Sequence, residues 1–291
     1  MDRPIFGGLR VTAQRLSDDR TRRFGRRVTG RPTPSGVIAF FGLAVEEYVD
    51  HEPDRQIWTT VPANRLIAVD VADTLGRYLP MSFVARLPFR GAFRGRGDWL
   101  TPLLRPVPEQ GNEMGVDLWS APTRPVPDGR ALIRAQIVVG NSSAPPPAAH
   151  ALVQVTHPGG GPPPAPLFER FGITDSQGVL TLPFPYPPVP DPPDTIYPPL
   201  DSQEFQLTIA VHYDSTSQRT LPDSTVPDLE TILNQPAADI GTHWNTDDPP
   251  ELETAATVSR NLRFGRPLTL RTAIGNPDAA ETESVLRIQP N

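Results

Sequence analysis

Proline is the residue that most restricts what this chain can fold into, because 38 of its 291 residues are proline. Proline has a fixed φ and no backbone N–H to donate, so it is kept out of helix interiors and of the hydrogen-bonded interior of a sheet. The prolines concentrate in three clusters, Pro145–Pro147, Pro158–Pro166 and Pro183–Pro199. This pattern argues against a helical bundle or coiled coil, and it predicts extended polyproline II segments at the three clusters.

Two roles are open for these proline clusters. As rigid loops they would wrap the fold and blunt the edges of its sheets. As docking ligands they would enter an aromatic groove on a partner, and the third cluster has Phe184, Tyr186 and Tyr197 for that purpose. The loop interpretation is favoured because Pro183 directly continues a predicted strand.

Outside the proline clusters, apolar residues recur with a period of two, which is typical of β-strands with one buried face. The clearest strand is Phe205–Tyr213, in which every second residue from Phe205 is apolar. Similar alternation marks Ile67–Val71, Ile133–Val139 and Leu180–Phe184. Ten or more such strands predict an all-β protein. We expect two β-sandwich domains, transthyretin-like or immunoglobulin-like, with long Pro-rich extended loops and little helix.

Turn residues flank the predicted strands. Asp73–Gly76, Asp128–Gly129 and Asp175–Gly178 each place an aspartate before a glycine, and Pro34–Gly36 is a looser version. The carboxylate can accept from backbone N–H groups two residues on, and glycine adopts positive φ without a Cβ clash. These segments therefore predict tight turns.

The sequence predicts one helix, over Val226–Asn234. Thr225 is placed to cap its N-terminus, Asp228 and Glu230 complement the N-terminal dipole, and Pro236 ends it. We expect this helix to be an excursion within a loop and not part of the core.

A domain boundary is predicted between Leu104 and Val126, where prolines accumulate without strand periodicity. The predicted organisation is an N-terminal β-sandwich over residues 1–105, a Pro-rich linker over 106–126 and a second sandwich with long insertions over 127–291. Two extended arms are expected on these sandwiches, a basic one over 1–31 and an acidic one over 214–256.

Charge is distributed unevenly along the chain. Residues 1–31 carry nine arginines against three acids, a net charge of +6, whereas residues 191–291 carry six arginines against sixteen acids, a net charge of −10. A basic end and an acidic end favour contacts between protein subunits. The candidate interface residues are Arg20, Arg22, Arg23, Arg26 and Arg27 at the basic end, and Asp247, Asp248, Glu251 and Glu253 at the acidic end. The alternative is that both ends are solvated surface with no partner.

Nucleic acid is a third possible partner for the arginines. The isoelectric point near 5.4 and the lack of any recognition motif argue against it. No nucleic-acid partner is therefore expected.

Residues with catalytic potential are few. Cysteine is absent, which excludes thiolate metal sites and cysteine nucleophiles, and the five histidines form no known catalytic or metal motif. His243 with the acidic residues that follow it offers oxygen ligands for calcium, but the spacing matches no EF-hand. We therefore expect no enzymatic activity, no cofactor and no metal, and we interpret these acids as a surface loop.

The middle of the chain resembles a known family. Pro127–Gly140, Ala151–Thr156 and Gly172–Leu182 follow one another in the order of the carboxypeptidase regulatory-like domain, a transthyretin-like β-sandwich. The resemblance covers residues 126–215, although Pro158–Pro166 and Pro183–Pro199 depart from it. It implies a non-catalytic module for packing or adhesion.

The whole chain also resembles proteins encoded with bacterial phage-tail-like contractile injection systems. The segments that carry this resemblance are Val69–Pro80, Gly178–Pro183 and Arg263–Leu270. Within those systems the chain is similar to the cap adaptor, which joins the tube and sheath to the terminal cap. The resemblance implies a structural subunit with tube, sheath and cap proteins as partners, repeated in a six-fold assembly.

Two functions follow from these observations. The first is a non-enzymatic structural adaptor of such a particle, acting through protein–protein contacts. The second is a carbohydrate-binding or accessory protein associated with a hydrolase, with exposed tryptophans as a sugar-stacking platform. The tryptophans are Trp58, Trp99, Trp119 and Trp244.

The location expected from the sequence is the cytoplasm, followed by assembly into a particle that can be released. Residues 1–31 lack the apolar stretch of a secretory signal, and no segment reaches the roughly 20 apolar residues of a membrane helix. No membrane insertion is therefore expected.

Overall fold

The computed structural model describes residues 7–33, 38–41, 43, 65–87, 104–106, 114–158, 166–187, 202–245, 251–274 and 282–290. Within them the secondary structure is almost entirely β, so the all-β class predicted from the prolines and the period of two is confirmed. The described residues contain no helix of the length and apolarity needed to cross a membrane.

The chain divides into two compact units, and one of them is discontinuous in sequence. Unit 1 consists of Met1–Leu118 and Gln218–Asn234, and unit 2 consists of Trp119–Ser217 and Gln235–Asn291. These boundaries differ from the predicted organisation in two respects. The predicted linker 106–126 is shared between the units, and residues 218–234 belong to unit 1 and not to the C-terminal part.

Unit 1 is built on a four-stranded antiparallel sheet. Its elements are β1 (Leu9–Leu16), β2 (Arg23–Thr29), β3 (Arg31–Pro32), β4 (Ile38–Ala39), β5 (Arg65–Asp73), β6 (Met81–Leu87), β7 (Leu104–Pro106), β8 (Met114–Val116) and the helix α1 (Leu229–Leu233). The sheet has the order β2-β1-β5-β6, and β3 pairs with β4 and β7 with β8 as two separate hairpins. Strands β1 and β5 are therefore central, and β2 and β6 are the edges.

The central strands of this sheet are buried on both faces. In β5, Ile67, Val69 and Val71 point to one face as predicted, and Leu66 and Ala68 on the other face are buried as well. A strand covered on both sides reads as a continuous apolar run, which explains the sequence of β5. One lone acid, Asp70, interrupts that run.

Residues 9–29 form two strands of this sheet and not the extended basic arm expected for 1–31. Val11, Ala13 and Leu16 of β1 are buried, and β1 pairs along its whole length with β5. The basic end of the chain is thus part of the framework of unit 1.

Segment 218–234, which leaves unit 2 between two of its strands, completes unit 1. Leu221 packs in one core cluster with Leu16, Leu66, Ala68 and Val84. Helix α1 lies against β6 and buries Leu229 and Ile232. The predicted helix exists, but it is shorter than predicted, it is capped by Asp228 instead of Thr225, and its apolar side chains belong to the core.

Unit 2 is built on one large sheet. Its strands are β9 (Ala131–Val139), β10 (Leu152–Pro158), β11 (Pro166–Ile173), β12 (Val179–Phe184), β13 (Glu204–His212), β14 (Ala237–Asn245), β15 (Glu251–Ala255), β16 (Val258–Arg263), β17 (Leu268–Thr269), β18 (Ala273–Ile274) and β19 (Leu286–Pro290). The order is β11-β10-β13-β14-β19-β9-β12, with β15 and β18 beside β14, β16 beside β13 and β17 beside β9. The first and last strands, β11 and β12, lie against each other, so the sheet is nearly closed.

The predicted strand Phe205–Tyr213 supplies one wall of the core of unit 2. Every second side chain from Phe205 to Tyr213 is buried, and the intervening ones are partly or fully exposed. Ile133 and Ile137 of β9 and Leu180 of β12 lie in the same cluster. The period of two therefore identified the buried faces correctly in these strands. Within the range 214–256, expected as an acidic arm, residues 218–234 complete unit 1, residues 237–245 form β14 and residues 251–255 form β15.

The predicted turns are confirmed where the structure describes them. The Asp175 carboxylate accepts from the backbone N–H groups of Gln177 and Val179 at 2.8 and 2.9 Å, and Gly178 has φ of +73°. A Cβ on Gly178 would lie 2.3 Å from the carbonyl oxygen of Ile137, so only glycine fits. The looser version at Pro34–Gly36 lies outside the described residues.

Several prolines of unit 2 take part in its strands, at positions where the missing N–H is tolerated. Pro183 lies in β12, the last strand of the sheet, and Pro158 of β10 pairs with Pro166 of β11 at the end of their ladder. Pro147 forms an isolated bridge to Val138. Strand ends and edges are the positions that proline can occupy in a sheet.

Candidate protein-interaction surfaces

The five arginines predicted as interface residues lie in the turn and the second strand of the β1–β2 hairpin. Their surroundings differ from one arginine to the next. Arg23 is buried, with a side chain 1 % exposed, whereas Arg22 and Arg26 are exposed and make no side-chain ion pair with any described residue. Arg20 and Arg27 lie between these extremes, since each has one acidic partner or more. The predicted basic surface is therefore carried mainly by Arg22 and Arg26, with Arg27 beside them.

Asp70 on β5 is the centre of a polar network in unit 1. Both carboxylate oxygens accept from Arg23, one of them at 2.8 Å, and Arg27 donates to the same carboxylate at 3.0 Å. Ser82 on β6 donates a further hydrogen bond at 2.9 Å. Burial raises the pKa of Asp70, but the hydrogen bonds from Arg23 and Ser82 and the charges of both arginines outweigh it and lower this pKa below its usual value.

This network links three strands that are not all neighbours. Arg23 and Arg27 come from edge strand β2, and Asp70 comes from β5 on the far side of β1. Two of the five predicted interface residues therefore hold the sheet together. The sequence signal for this network was Asp70, a single acid within the apolar run of β5. A carboxylate in such a buried strand requires a cation nearby to compensate its charge.

A second polar group surrounds the start of helix α1. The Asp228 side chain caps the helix by accepting from the backbone N–H of Glu230 at 3.3 Å, and it is 3 % exposed. Arg20 binds Glu230 at 2.9 Å and lies 3.8 Å from Asp228. Burial raises the pKa of Asp228 to about 6, and the charge of Glu230 adds to the increase, whereas the backbone hydrogen bond and Arg20 oppose it.

The acidic end forms part of an edge strand in unit 2. Glu251 and Glu253 lie on β15 with exposed side chains, and β15 pairs with β14 through Trp244–Leu252 and His243–Glu253. Asp247 and Asp248 lie outside the described residues. Across the described residues no three His, Asp or Glu side chains converge where a metal ion could bind.

A buried arginine in unit 2 was not found by sequence reasoning. Arg287 on β19 donates to both carboxylate oxygens of Glu283, at 2.7 and 2.8 Å, and to the carbonyl oxygens of Gly140 and Ser142 at 3.0 and 2.9 Å. Its guanidinium carbon stands 3.6 Å from the centre of the Trp244 ring. The sequence signal was a charged residue between the apolar residues Leu286 and Ile288.

One of the four tryptophans is buried, and a second has one ring face covered. Trp119 is 7 % exposed, and one face of Trp244 is covered by Arg287. Trp58 and Trp99 lie outside the described residues. The carbohydrate-binding alternative therefore loses Trp119 as a stacking residue.

Comparison of the chain with protein-family models, with curated proteins and with solved structures gave no match.

Proposed function

We propose that this chain is a non-enzymatic structural adaptor of a phage-tail-like contractile injection particle, joining the tube and sheath to the terminal cap. The observation that supports the proposal is the difference between the buried and the exposed charged residues. Buried Arg23 joins β2 to β5, and buried Arg287 joins β19 to the segment that follows β9. Exposed arginines lie on or beside β2 in one unit, and exposed glutamates lie on β15 in the other. Exposed strand edges with complementary charge suit protein–protein contacts.

The resemblance of Val69–Pro80, Gly178–Pro183 and Arg263–Leu270 to cap adaptors supports the choice of particle. Its partners in this proposal are the tube, sheath and cap proteins, and assembly with them takes place in the cytoplasm. The chain is repeated with six-fold symmetry in the particle. Nucleic acid has no part in it.

The finer description of the fold belongs to the same proposal. We infer that residues 126–215 are a carboxypeptidase regulatory-like β-sandwich and that unit 1 is a second sandwich. Strands β9, β10 and β12 follow one another in the order of that family, and the Asp175–Gly178 turn stands directly before β12. A sandwich of this kind would act as a packing module.

The test is to isolate the tagged chain gently from its native host and to image the eluate by electron microscopy, with mass spectrometry of the chains that co-purify. We expect tubular or ring-shaped particles in which this chain occurs with sheath and tube proteins in fixed ratio. A free chain with no stoichiometric partner would overturn the proposal.

A variant with Arg22→Glu and Arg26→Glu makes the same test specific. These side chains are exposed and hold no strand in place, so the fold should survive while incorporation into particles falls. Arg130→Glu with Arg266→Glu, which reverses two exposed arginines in turns of unit 2, is the matched control and should be incorporated normally.

A further inference from the structure

Each compact unit has a charged strand with an edge that no described strand covers. In unit 1, β2 pairs with β1 alone within the described residues, and it carries exposed Arg26, with exposed Arg22 directly before its first residue. In unit 2, β15 pairs with β14 alone within the same limits, and Glu251 and Glu253 are exposed along it. An uncovered strand edge presents backbone N–H and C=O groups that another chain can pair with.

We propose that these two edges bind each other between copies of the chain, the basic edge of β2 on one molecule against the acidic edge of β15 on a second. We call these surfaces the basic edge (Arg22–Thr29) and the acidic edge (Glu251–Ala255). Like edges repel, since the basic edge would face arginine with arginine and the acidic edge glutamate with glutamate. Only the unlike combination brings opposite charges together.

The charges available for this contact are equal in number. Arg27 is held by Asp70 at 3.0 Å, so Arg22 and Arg26 are the cations of the basic edge that have no acidic partner among the described residues. On the acidic edge the carboxylates of Glu251 and Glu253 likewise have no partner there. Arginine suits such a contact because its guanidinium can bind a carboxylate at two points.

The two edges also match in length. Strand β15 has five residues and β2 has seven, so a shared ladder of five residues would extend about 17 Å. Such a ladder is short, and β2 is bulged where Gly25, Arg26 and Arg27 stand opposite a single residue of β1. The contact is therefore expected to be modest in affinity and sensitive to salt.

A contact between unlike edges is heterologous, and it leaves one free basic edge and one free acidic edge on every pair. Such contacts build a ring where the rotation closes and a filament where it does not. This inference deepens the proposed adaptor function and rests on it in one respect, because a self-contact of this kind is one way to join neighbouring copies of a subunit that is repeated around a particle.

The test uses the purified full chain in sedimentation velocity and native mass spectrometry, over a range of protein concentrations at low and high salt. We expect oligomers that grow with concentration at low salt and dissociate at high salt. A wild-type chain that stays monomeric at every concentration and low salt would overturn the inference. That result would leave the proposed function standing, because an adaptor can bind other proteins without binding itself.

Charge reversal identifies the surfaces. The variant R22E/R26E and the variant E251R/E253R should each associate about a hundredfold more weakly than the wild type, because each places like charges against each other. The control R130E/R266E should associate like the wild type. Oligomers that persist unchanged in both edge variants would overturn the assignment.

Mixing the two variants supplies the decisive result. The intact acidic edge of R22E/R26E and the intact basic edge of E251R/E253R can still bind each other, so the 1:1 mixture should form heterodimers or larger species that neither variant forms alone. Failure of the mixture to associate, with both variants folded by circular dichroism, would overturn the inference. Should a reversal prevent folding, R22Q/R26Q and E251Q/E253Q replace it, and each should lose the salt dependence of association; a salt dependence equal to that of the wild type would contradict the proposal.

Discussion

The guanidinium of Arg23 and the carboxylate of Asp70 form a two-point ion pair that ties edge strand β2 to β5 across the strand between them. The Arg23 side chain is 1 % exposed, and its Nε has no hydrogen-bond partner in the described residues. A buried cation without Asp70 would be desolvated with little compensation. The pair therefore stabilises unit 1 from within its sheet.

Replacement of Arg23 by methionine is expected to lower the free energy of unfolding by about 3 kcal/mol, because Asp70 loses its buried partner. The measurement is urea denaturation. Arg26→Met on the same strand is the control, and it should change stability by less than about 0.5 kcal/mol. The double variant R23M/D70L should recover much of the loss, since it leaves no unpaired buried charge; equal losses in R23M and R26M would contradict this account.

Asp228 is expected to make unit 1 less stable at neutral pH than at pH 4. Its pKa of about 6 in the folded protein lies above the value of about 3.9 in an unfolded chain, so the folded state binds the proton more tightly. The stabilisation is complete below pH about 4 and is lost as the pH rises through about 6, and two pKa units correspond to about 3 kcal/mol.

The measurement for Asp228 is the unfolding free energy of wild type and Asp228→Asn between pH 4 and 8. Asparagine caps a helix as well as aspartate and does not titrate, so the variant should gain stability relative to the wild type as the pH rises. Asp223→Asn, at an exposed position of the same segment, is the control. Parallel pH profiles for wild type and Asp228→Asn would show that Asp228 does not titrate in this range.

Leu221→Ala is expected to destabilise the four-stranded sheet of unit 1, although Leu221 is distant from that sheet in sequence. The last strand of the sheet, β6, ends more than 130 residues before Leu221. Leu221 is 5 % exposed and packs on Leu66 and Val84, so the loss should be about 2–4 kcal/mol. Hydrogen exchange read by mass spectrometry should show faster exchange in β5 and β6 and little change in β9. Leu75→Ala, at a side chain 63 % exposed, is the control, and faster exchange confined to unit 2 would contradict the packing.

Gly178→Ala and Gly129→Ala separate backbone strain from steric conflict. Both glycines have φ near +74°, but a Cβ at Gly178 meets the Ile137 carbonyl oxygen at 2.3 Å, whereas a Cβ at Gly129 meets nothing within 4 Å. The change at Gly129 should cost about 1 kcal/mol, and the change at Gly178 at least twice that. Thermal unfolding of the two variants measures the difference, and equal shifts would show that the turn relaxes.

Features of the fold that depend on neighbouring residues were predictable from the sequence. The alternation in Phe205–Tyr213 and the Asp–Gly turns arise from local backbone geometry. A strand has a two-residue repeat and a turn has four residues, so both can be recognised in a short stretch of sequence. The placement of segment 218–234 could not be predicted in this way. The residues near Leu221, Leu229 and Ile232 in the sequence do not determine which part of the fold these side chains pack against. The sequence therefore predicted a helix within a loop, and the burial of its apolar side chains was missed.

The candidate site was predictable to a similar extent. A block of arginines at 20–27 predicted a basic surface, but it could not tell Arg23 from Arg22 or Arg26. The difference is set by register, since Arg23 lies opposite Leu16 and reaches Asp70 on β5, while Arg22 precedes the strand. Arginines that are close in sequence can therefore differ in position, one being buried in an ion pair and its neighbours being exposed on the surface.

The discontinuity of unit 1 also has a consequence for how the protein is made. Translation delivers β1 to β8 early, but the segment carrying Leu221 and α1 emerges only after most of unit 2 has been synthesised. Unit 1 therefore stays incomplete on the ribosome while residues 119–217 of unit 2 are synthesised, although residues 235–291 of unit 2 follow later still. Until residues 218–234 emerge, the apolar side chains of the sheet that Leu221 covers, among them Leu66 and Val84, lack this contact, and a fragment ending at Leu118 would lack it permanently.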